Sequence, residues 1–406
     1  MTAMSPTPDA IIPGPADDQR PGRDLRSWLP TVRDTAVAIA LALVVGAFLI
    51  IVSDPEVIDA VGNMFNYPAS FFVYAGDVVR YSAEAVWDAY SALVRGAFGS
   101  GPAIERTLER SAPLICAGLG VALAFRAGLF NIGAQGQALV AALAAGYVGF
   151  TWDLPAGLHL LAAIAAGLAA GAFWGSIVGW LKATTGAHEV ITTIMLNFVA
   201  RFVVLYFLAK EAFQKANSDN LITPAPADSA TFPTIAGIHL GIPLALLAAA
   251  GVWWILERSK LGFELRAVGA NPDASRTAGM STTKVYILVM ALAGMLAGLA
   301  ATMTVLGLRQ SVTDQVVGSV GFDAITVALL GRASPLGTVL AGFLFGALSA
   351  GGLGMQASAG VPPELIQVVQ ALIVLFVAAP ALIRDLGRIR RRRRKDRSPE
   401  PEGAAA

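Results

Sequence analysis

Three amides crowd into seven residues of this chain. Asn131, Gln135 and Gln137 lie in the segment Arg126-Ala-Gly-Leu-Phe-Asn-Ile-Gly-Ala-Gln-Gly-Gln137, between two apolar runs. Side-chain amides donate and accept hydrogen bonds without charge, which suits recognition of a neutral polar solute. The glycines among them interrupt any helix, and the backbone groups so released need neighbours, water or a ligand as partners. A tight turn between two helices would account for the same residues equally well.

A second group is Gly186-Ala-His-Glu189-Val-Ile-Thr-Thr193-Ile-Met-Leu-Asn197. At helical spacing Glu189, Thr193 and Asn197 share one face, either lining a cavity or bonding a neighbouring helix. A third is Asp323 in Gly321-Phe-Asp-Ala-Ile-Thr-Val-Ala-Leu-Leu-Gly-Arg-Ala-Ser-Pro335. An acid in apolar surroundings is a functional candidate by default, with helix capping or a pair to Arg309 as the structural alternative. Asn131, Gln135, Gln137, Glu189, Thr193, Asn197 and Asp323 are therefore the candidate solute path.

The segment from Gly262 to Gly279 mixes charges with small residues: Glu264, Arg266, Gly269, Asn271, Pro272, Asp273 and Gly279. Asn-Pro predicts the start of a short helix, with Pro272 in its first turn. So many small apolar residues fit a helix that docks a partner better than a solvated loop.

Absent motifs narrow the function. None of the six lysines follows a glycine, so the chain has no phosphate-binding Gly-Lys-Ser/Thr and is not itself an ATPase. No nucleophile elbow and no His-Glu-x-x-His occurs. His159, His188 and His239 show no metal-ligand spacing, so no metal or cofactor is expected. The arginine run near the C-terminus follows an apolar span directly, which points to anionic lipid rather than nucleic acid.

The elements that must hold these residues are membrane helices. The chain is 55% hydrophobic and only 14% charged, against roughly 25% charged in soluble domains. Apolar runs long enough to cross a bilayer recur at 35–52, 109–127, 131–150, 156–181, 189–209, 239–257, 284–306, 319–331, 335–352 and 364–383. The fold expected is all-α with about ten transmembrane helices, and 319–331, short for a span, reads either as a helix that begins earlier, near Val312, or as one half of a broken helix. Residues 1–33 read as a disordered tail, with the first span retained rather than cleaved as a signal. Residues 34–383 read as the membrane domain and 384–406 as a basic tail. The stretch Ala83–Phe98 is amphipathic and reads as lying along the outer surface. Gly167, Gly171, Gly175 and Gly179, with the pairs Gly294/Gly298 and Gly342/Gly346, would let helix backbones approach closely.

Basic residues orient the chain. With both termini cytoplasmic, 21 lysines and arginines fall inside and seven outside, with Arg201 within a span. That topology places 210–238 outside and 258–284 inside.

At these clusters the sequence resembles the permease subunits of bacterial ATP-binding-cassette importers for nucleosides and simple sugars, related to the ribose and branched-chain amino acid permeases. The matching stretches, in order, are Ala89–Ser100, Phe125–Gln137, Gly186–Asn197, Arg266–Gly279 and Gly321–Gly337. Phe125–Gln137 favours the nucleoside branch, with Gln135 where the family more often has Glu. His188 stands where it often has Asn. The resemblance implies a half-transporter in the bacterial inner membrane, translocating nucleosides, or alternatively a sugar such as ribose. It implies three partners: a cytoplasmic ATPase, a second permease that is a paralogue, and an extracytoplasmic substrate-binding lipoprotein. It also implies that 258–284 is the coupling loop, and that 109–209 and 284–383 are inverted repeats. An ion-driven secondary transporter is the rival class; Asp323 would suit it, while the docking segment and the scarcity of intramembrane acids speak against it.

The charge split predicts that, in a Cys116-free background, a cysteine at Ser218 reacts with an impermeant thiol reagent in intact cells and one at Ser398 does not. Labelling of 398 alone would reverse the topology.

Overall fold

The structure, a computed structural model, describes residues 29–378 apart from 219, 236, 237 and 309. The tail expected over 1–33 lies mostly outside the described residues, and that over 384–406 wholly so. Helix α1 (Leu29–Ser53) already begins inside the first of these. At Asp54 the chain turns by 63°. The Asp54 carboxylate accepts from the N–H groups of Glu56 and Val57, and Pro55 opens α2 (Pro55–Asn66) where its missing N–H costs nothing. Then come α3 (Phe71–Phe98) and α4 (Gly101–Arg126), the latter capped by the Ser100 hydroxyl.

α5 (Ala134–Thr151), α6 (Leu158–Thr185) and α7 (Glu189–Leu208) follow. A long connection holds the two-residue strands β1 (Thr234–Ile235) and β2 (Ile238–His239), paired antiparallel with Thr234 opposite His239. The chain continues through α8 (Gly241–Arg258), α9 (Lys260–Ala270), α10 (Pro272–Thr277) and α11 (Thr282–Thr302). A π-helical turn over Met303–Gly307 extends α11. α12 (Val320–Leu330), α13 (Pro335–Ala359) and α14 (Pro363–Ala378) complete the described chain.

Among the described residues six helices are long and apolar enough to cross a bilayer: α4, α6, α7, α8, α11 (with its π turn) and α13. The bent α1–α2 pair makes a seventh if counted as one span. The other expected crossings fall on α5, α12 and α14. α12 has 11 residues, about 16 Å of helix, and cannot cross a bilayer of about 30 Å alone.

α4 and α11 form the centre, and 78% of α4's apolar window is buried against 17% of α7's. α6 lies along α11, and α13 lies along α4. Both contacts run through glycines, and that of α6 with α11 is backbone to backbone. A Cβ at Gly171 or Gly175 would run into the carbonyl oxygens of Gly294 or Met290, and one at Gly342 into Ile115. Lipid supplies no hydrophobic drive between helices, so close packing of small residues must hold them together. α3 departs from expectation. Its half from Ala83 to Phe98 does not lie free along a surface but packs on α13, where Gly96 meets Gly351 and Gly354. Its small-residue face is thus met by protein rather than by a lipid headgroup layer.

The connection between α7 and α8 covers one end of the bundle. Ala227 N–H donates to the Gly149 carbonyl at 2.8 Å, and Thr223 exchanges bonds with Val312. His159, at the start of α6, bonds Ser229 through Nδ1 at 2.8 Å.

Gly175→Val should lower the thermal midpoint of the detergent-solubilised protein, costing roughly 1–3 kcal/mol or more of packing. Gly251→Ala, where a Cβ meets no neighbour, should leave it unchanged. Equal midpoints for the two variants would refute the glycine contact.

Candidate translocation site

Four residues end α4, and the cap shows how. Leu129 N–H donates to the Ala124 carbonyl and Gly128 N–H to that of Phe125. This double bond pattern closes the helix and requires a left-handed residue, supplied by Gly128 at φ 71°. The chain then runs non-helically to Ala134, and its polar groups are met by the amides that the sequence marked. Asn131 is fully buried. Its Oδ1 accepts from Gly133 N–H at 2.9 Å, and its Nδ2 donates to Gln137 Oε1 at 3.2 Å. From α7, Asn197 Nδ2 donates to the Ile132 carbonyl at 3.0 Å while its Oδ1 accepts from Gly136 N–H at 2.8 Å. Thr193, one turn earlier, packs against Gly133. Glu189 takes the ammonium of Lys182 at 2.6 Å, tying the start of α7 to the end of α6.

Gln135 reaches furthest. Its Nε2 donates to the Gly318 carbonyl at 2.7 Å and its Oε1 accepts from Gly321 N–H at 3.0 Å. The first turns of α5 and α12 therefore meet. Gly321 has no room for a side chain there, because a Cβ would strike the Gln135 backbone.

A cavity of about 830 Å³ opens beside α12, between α4, α13 and α14. Its volume lies within the roughly 300–1,000 Å³ of small-molecule sites. Ser319, Asp323 and Thr326 line it from α12 and the residues before it, Gln356 from α13, and Gln367 and Gln370 from α14. Asp323 Oδ2 accepts from Ser319 Oγ at 2.7 Å. Arg309, the alternative partner considered for Asp323, lies outside the described residues. Pro113 also lines the wall and has no N–H to give to the Glu109 carbonyl, one helical turn back in α4.

Of the seven residues marked for the path, Asp323 alone lines this cavity; Asn131, Gln135, Gln137, Glu189, Thr193 and Asn197 surround the turn before α5. Sequence reasoning passed over Gln356, Gln367 and Gln370. The signal was present, since two glutamines three apart in an apolar helix share a face.

The docking segment divides likewise. Asn271 caps α10, accepting from Asp273 and Ala274 N–H groups, and with Pro272, Asp273 and Gly279 it is exposed. Phe263 beside them is 57% exposed. Arg266 turns back to the Leu256 carbonyl, and Glu264 to Lys260 at 3.7 Å. Gly269 faces the protein and lies on the backbone of Arg126, Ala127 and Gly128.

Residues 103–378 match the family model described as the branched-chain amino acid transport system permease component. The chain belongs to this family. The permease is 42% identical to the guanosine ABC transporter permease NupP of Bacillus subtilis over 76% of its own length and 90% of that protein's. It is 37% identical to the nucleoside ABC transporter permease NupB of Lactococcus lactis, over 77% and 89%. To a glucose ABC transporter permease of Haloferax volcanii it is 36% identical, over 71% and 80%. No solved structure matches it. It is a polytopic membrane protein of the ABC permease type.

Loss of Asn131 should cost more than loss of Gln137. Asn131→Leu strands both Gly133 N–H and the Gln137 amide, whereas Gln137→Met strands only the Asn131 amide, at about 1–3 kcal/mol per buried group. Thermal unfolding in detergent ranks them; an equal or larger loss for Gln137→Met would contradict the brace.

Proposed function

We propose that this permease carries nucleosides across the bacterial inner membrane through the cavity beside α12. The observation that carries this reading is the cavity's lining. Amides from α13 and α14, hydroxyls from Ser319 and Thr326, the carboxylates of Asp323 and Glu109 and the guanidinium of Arg110 face a space of small-molecule size. A nucleoside offers hydroxyl and ring N–H donors together with acceptors, and no charge to neutralise. Gln356, Gln367 and Gln370 can meet either kind of group, while Asp323 is suited to a sugar diol. The similarity to a guanosine and a nucleoside permease supports the same solute class. A simple sugar such as ribose or glucose is the second reading, favoured by the likeness to the glucose permease.

The path residues in this reading are those of the cavity. The amides Asn131, Gln137 and Asn197 serve it by holding the turn before α5. Ten crossings remain the proposed count, with α5 and α12 as helices that start within the membrane. The exchange of partners, α4 with α13 and α6 with α11, supports two inverted repeats over 109–209 and 284–383. Energy comes from a separate cytoplasmic ATPase docked on the exposed tip of 258–284, around Phe263, Asn271, Pro272 and Asp273. A second permease, a paralogue, completes the pore, and an extracytoplasmic lipoprotein delivers the solute. Both termini are cytoplasmic.

Uptake of labelled guanosine, ribose and glucose by cells with and without the gene tests the solute. Gene-dependent guanosine uptake is expected, and Asp323→Asn should reduce it about tenfold or more, the scale of a lost charge-assisted bond to solute. Sugar uptake alone would replace the nucleoside reading. Transport on a proton or sodium gradient without an ATPase would remove the ABC mechanism.

A further inference from the structure

α12 is held at both ends by one short stretch of chain. At its start, Gln135 clasps Gly318 and Gly321 with both ends of its amide. At its finish, Arg126 Nε donates to the Ala333 carbonyl at 2.9 Å. Ala333 belongs to the turn that closes α12, where Ala333 N–H returns to Ala328 and Arg332 N–H to Leu329. Arg332 and Ala333 both sit in the left-handed region, at φ 53° and 48°.

The stretch between Arg126 and Gln135 has little freedom of its own. The double-bonded cap fixes its first corner, and Asn131 and Asn197 hold its middle. Its first corner also lies directly on the docking segment. A Cβ at Gly269 would come within 2.6 Å of the Arg126 carbonyl oxygen, and one at Gly128 within 3.1 Å of Gly269 Cα. No side chain cushions that contact, and close-packed interiors pass displacement on rather than absorb it.

We propose that residues 126–137 form a rigid yoke between the docking segment and the cavity, and that Gln135 is the positioning residue through which a shift of α9 and α10 moves α12 and its Asp323. This rests on the reading of 258–284 as the ATPase dock. Gln135 touches no solute; it acts through the backbone of α12. The yoke also explains why all the amides of the turn are spent on protein groups. An amide free for a solute would leave the turn loose.

The test uses the complete transporter with its ATPase, in a Cys116→Ala background carrying Thr326→Cys on the cavity face of α12. Reaction of that cysteine with a water-soluble maleimide is timed without nucleotide and after ATP–vanadate trapping. With Gln135 present the two rates should differ on the order of tenfold, the scale of ordinary coupling between sites. With Gln135→Leu they should converge while the ATPase still co-purifies and hydrolyses ATP, so that solute moved per ATP falls. Arg126→Gln, an exposed position at the other end of the yoke, keeps the test open should Gln135→Leu not assemble; it should narrow the difference. A difference that survives Gln135→Leu, or Arg126→Gln if that is the variant that assembles, overturns the yoke. So does a wild-type complex, bound to a working ATPase, whose two rates are equal. Failure of any ATPase to co-purify with the wild type removes the docking reading itself, and the yoke with it.

Discussion

In the interior of a membrane protein no water is present to satisfy a bare peptide group, and between α4 and α5 there is no helix to do so either. That constraint organises the middle of this permease. Gly128 closes α4, and between there and α5 the turn takes side-chain partners at Ile132 and Gly133. Asn131 and Asn197 lend two bonds each to or across the turn, and Gln137 holds Asn131 in place. Once the turn is rigid, Gln135 can present its amide to the start of α12, and the cavity wall takes its position from that. Without the brace, neither half-helix would have a fixed origin.

The packing answers the same solvent in a different way. Because lipid offers helices no hydrophobic reason to associate, contact area must come from shape. The glycines of α6 and α11 bring two backbones together with nothing between them, and Gly342 of α13 makes room for Ile115 of α4. The permease thus has a stiff centre of α4 and α11 and a periphery, α7 among it, that faces outward. The ion pair of Arg201 with Asp314, at 2.9 Å, belongs to that periphery and ties α7 to the residues preceding α12.

Much of this was legible in the sequence because its causes are local. Hydropathy locates a spanning helix from composition alone, and the four-residue glycine spacing in α6 names its packing face. Asn-Pro at 271–272 announces a helix start, and Asn271 caps that helix. The purpose of the amides was not legible. Asn131 and Gln135 have the same chemistry toward a solute as toward a peptide group, and only the fold decides which is within reach. Gly269 reads as part of a docking surface by its neighbours in sequence, yet the turn of α9 points it at Gly128. The helix at Ala83–Phe98 misled for a related reason: amphipathicity shows that one face is buried, and does not say whether lipid headgroups or α13 bury it. Of the cavity glutamines, Gln367 and Gln370 already share a helix face in the sequence, but Gln356 joins them only when α13 and α14 pack beside α12.

The shortness of α12 has an electrical consequence. The cavity extends from the α13–α14 junction at Pro363 to Thr326, midway along that helix. Filled with water, a cavity that follows α12 past its midpoint would let the Asp323 carboxylate keep part of its hydration, so that the charge need not bear the full cost of burial in hydrocarbon.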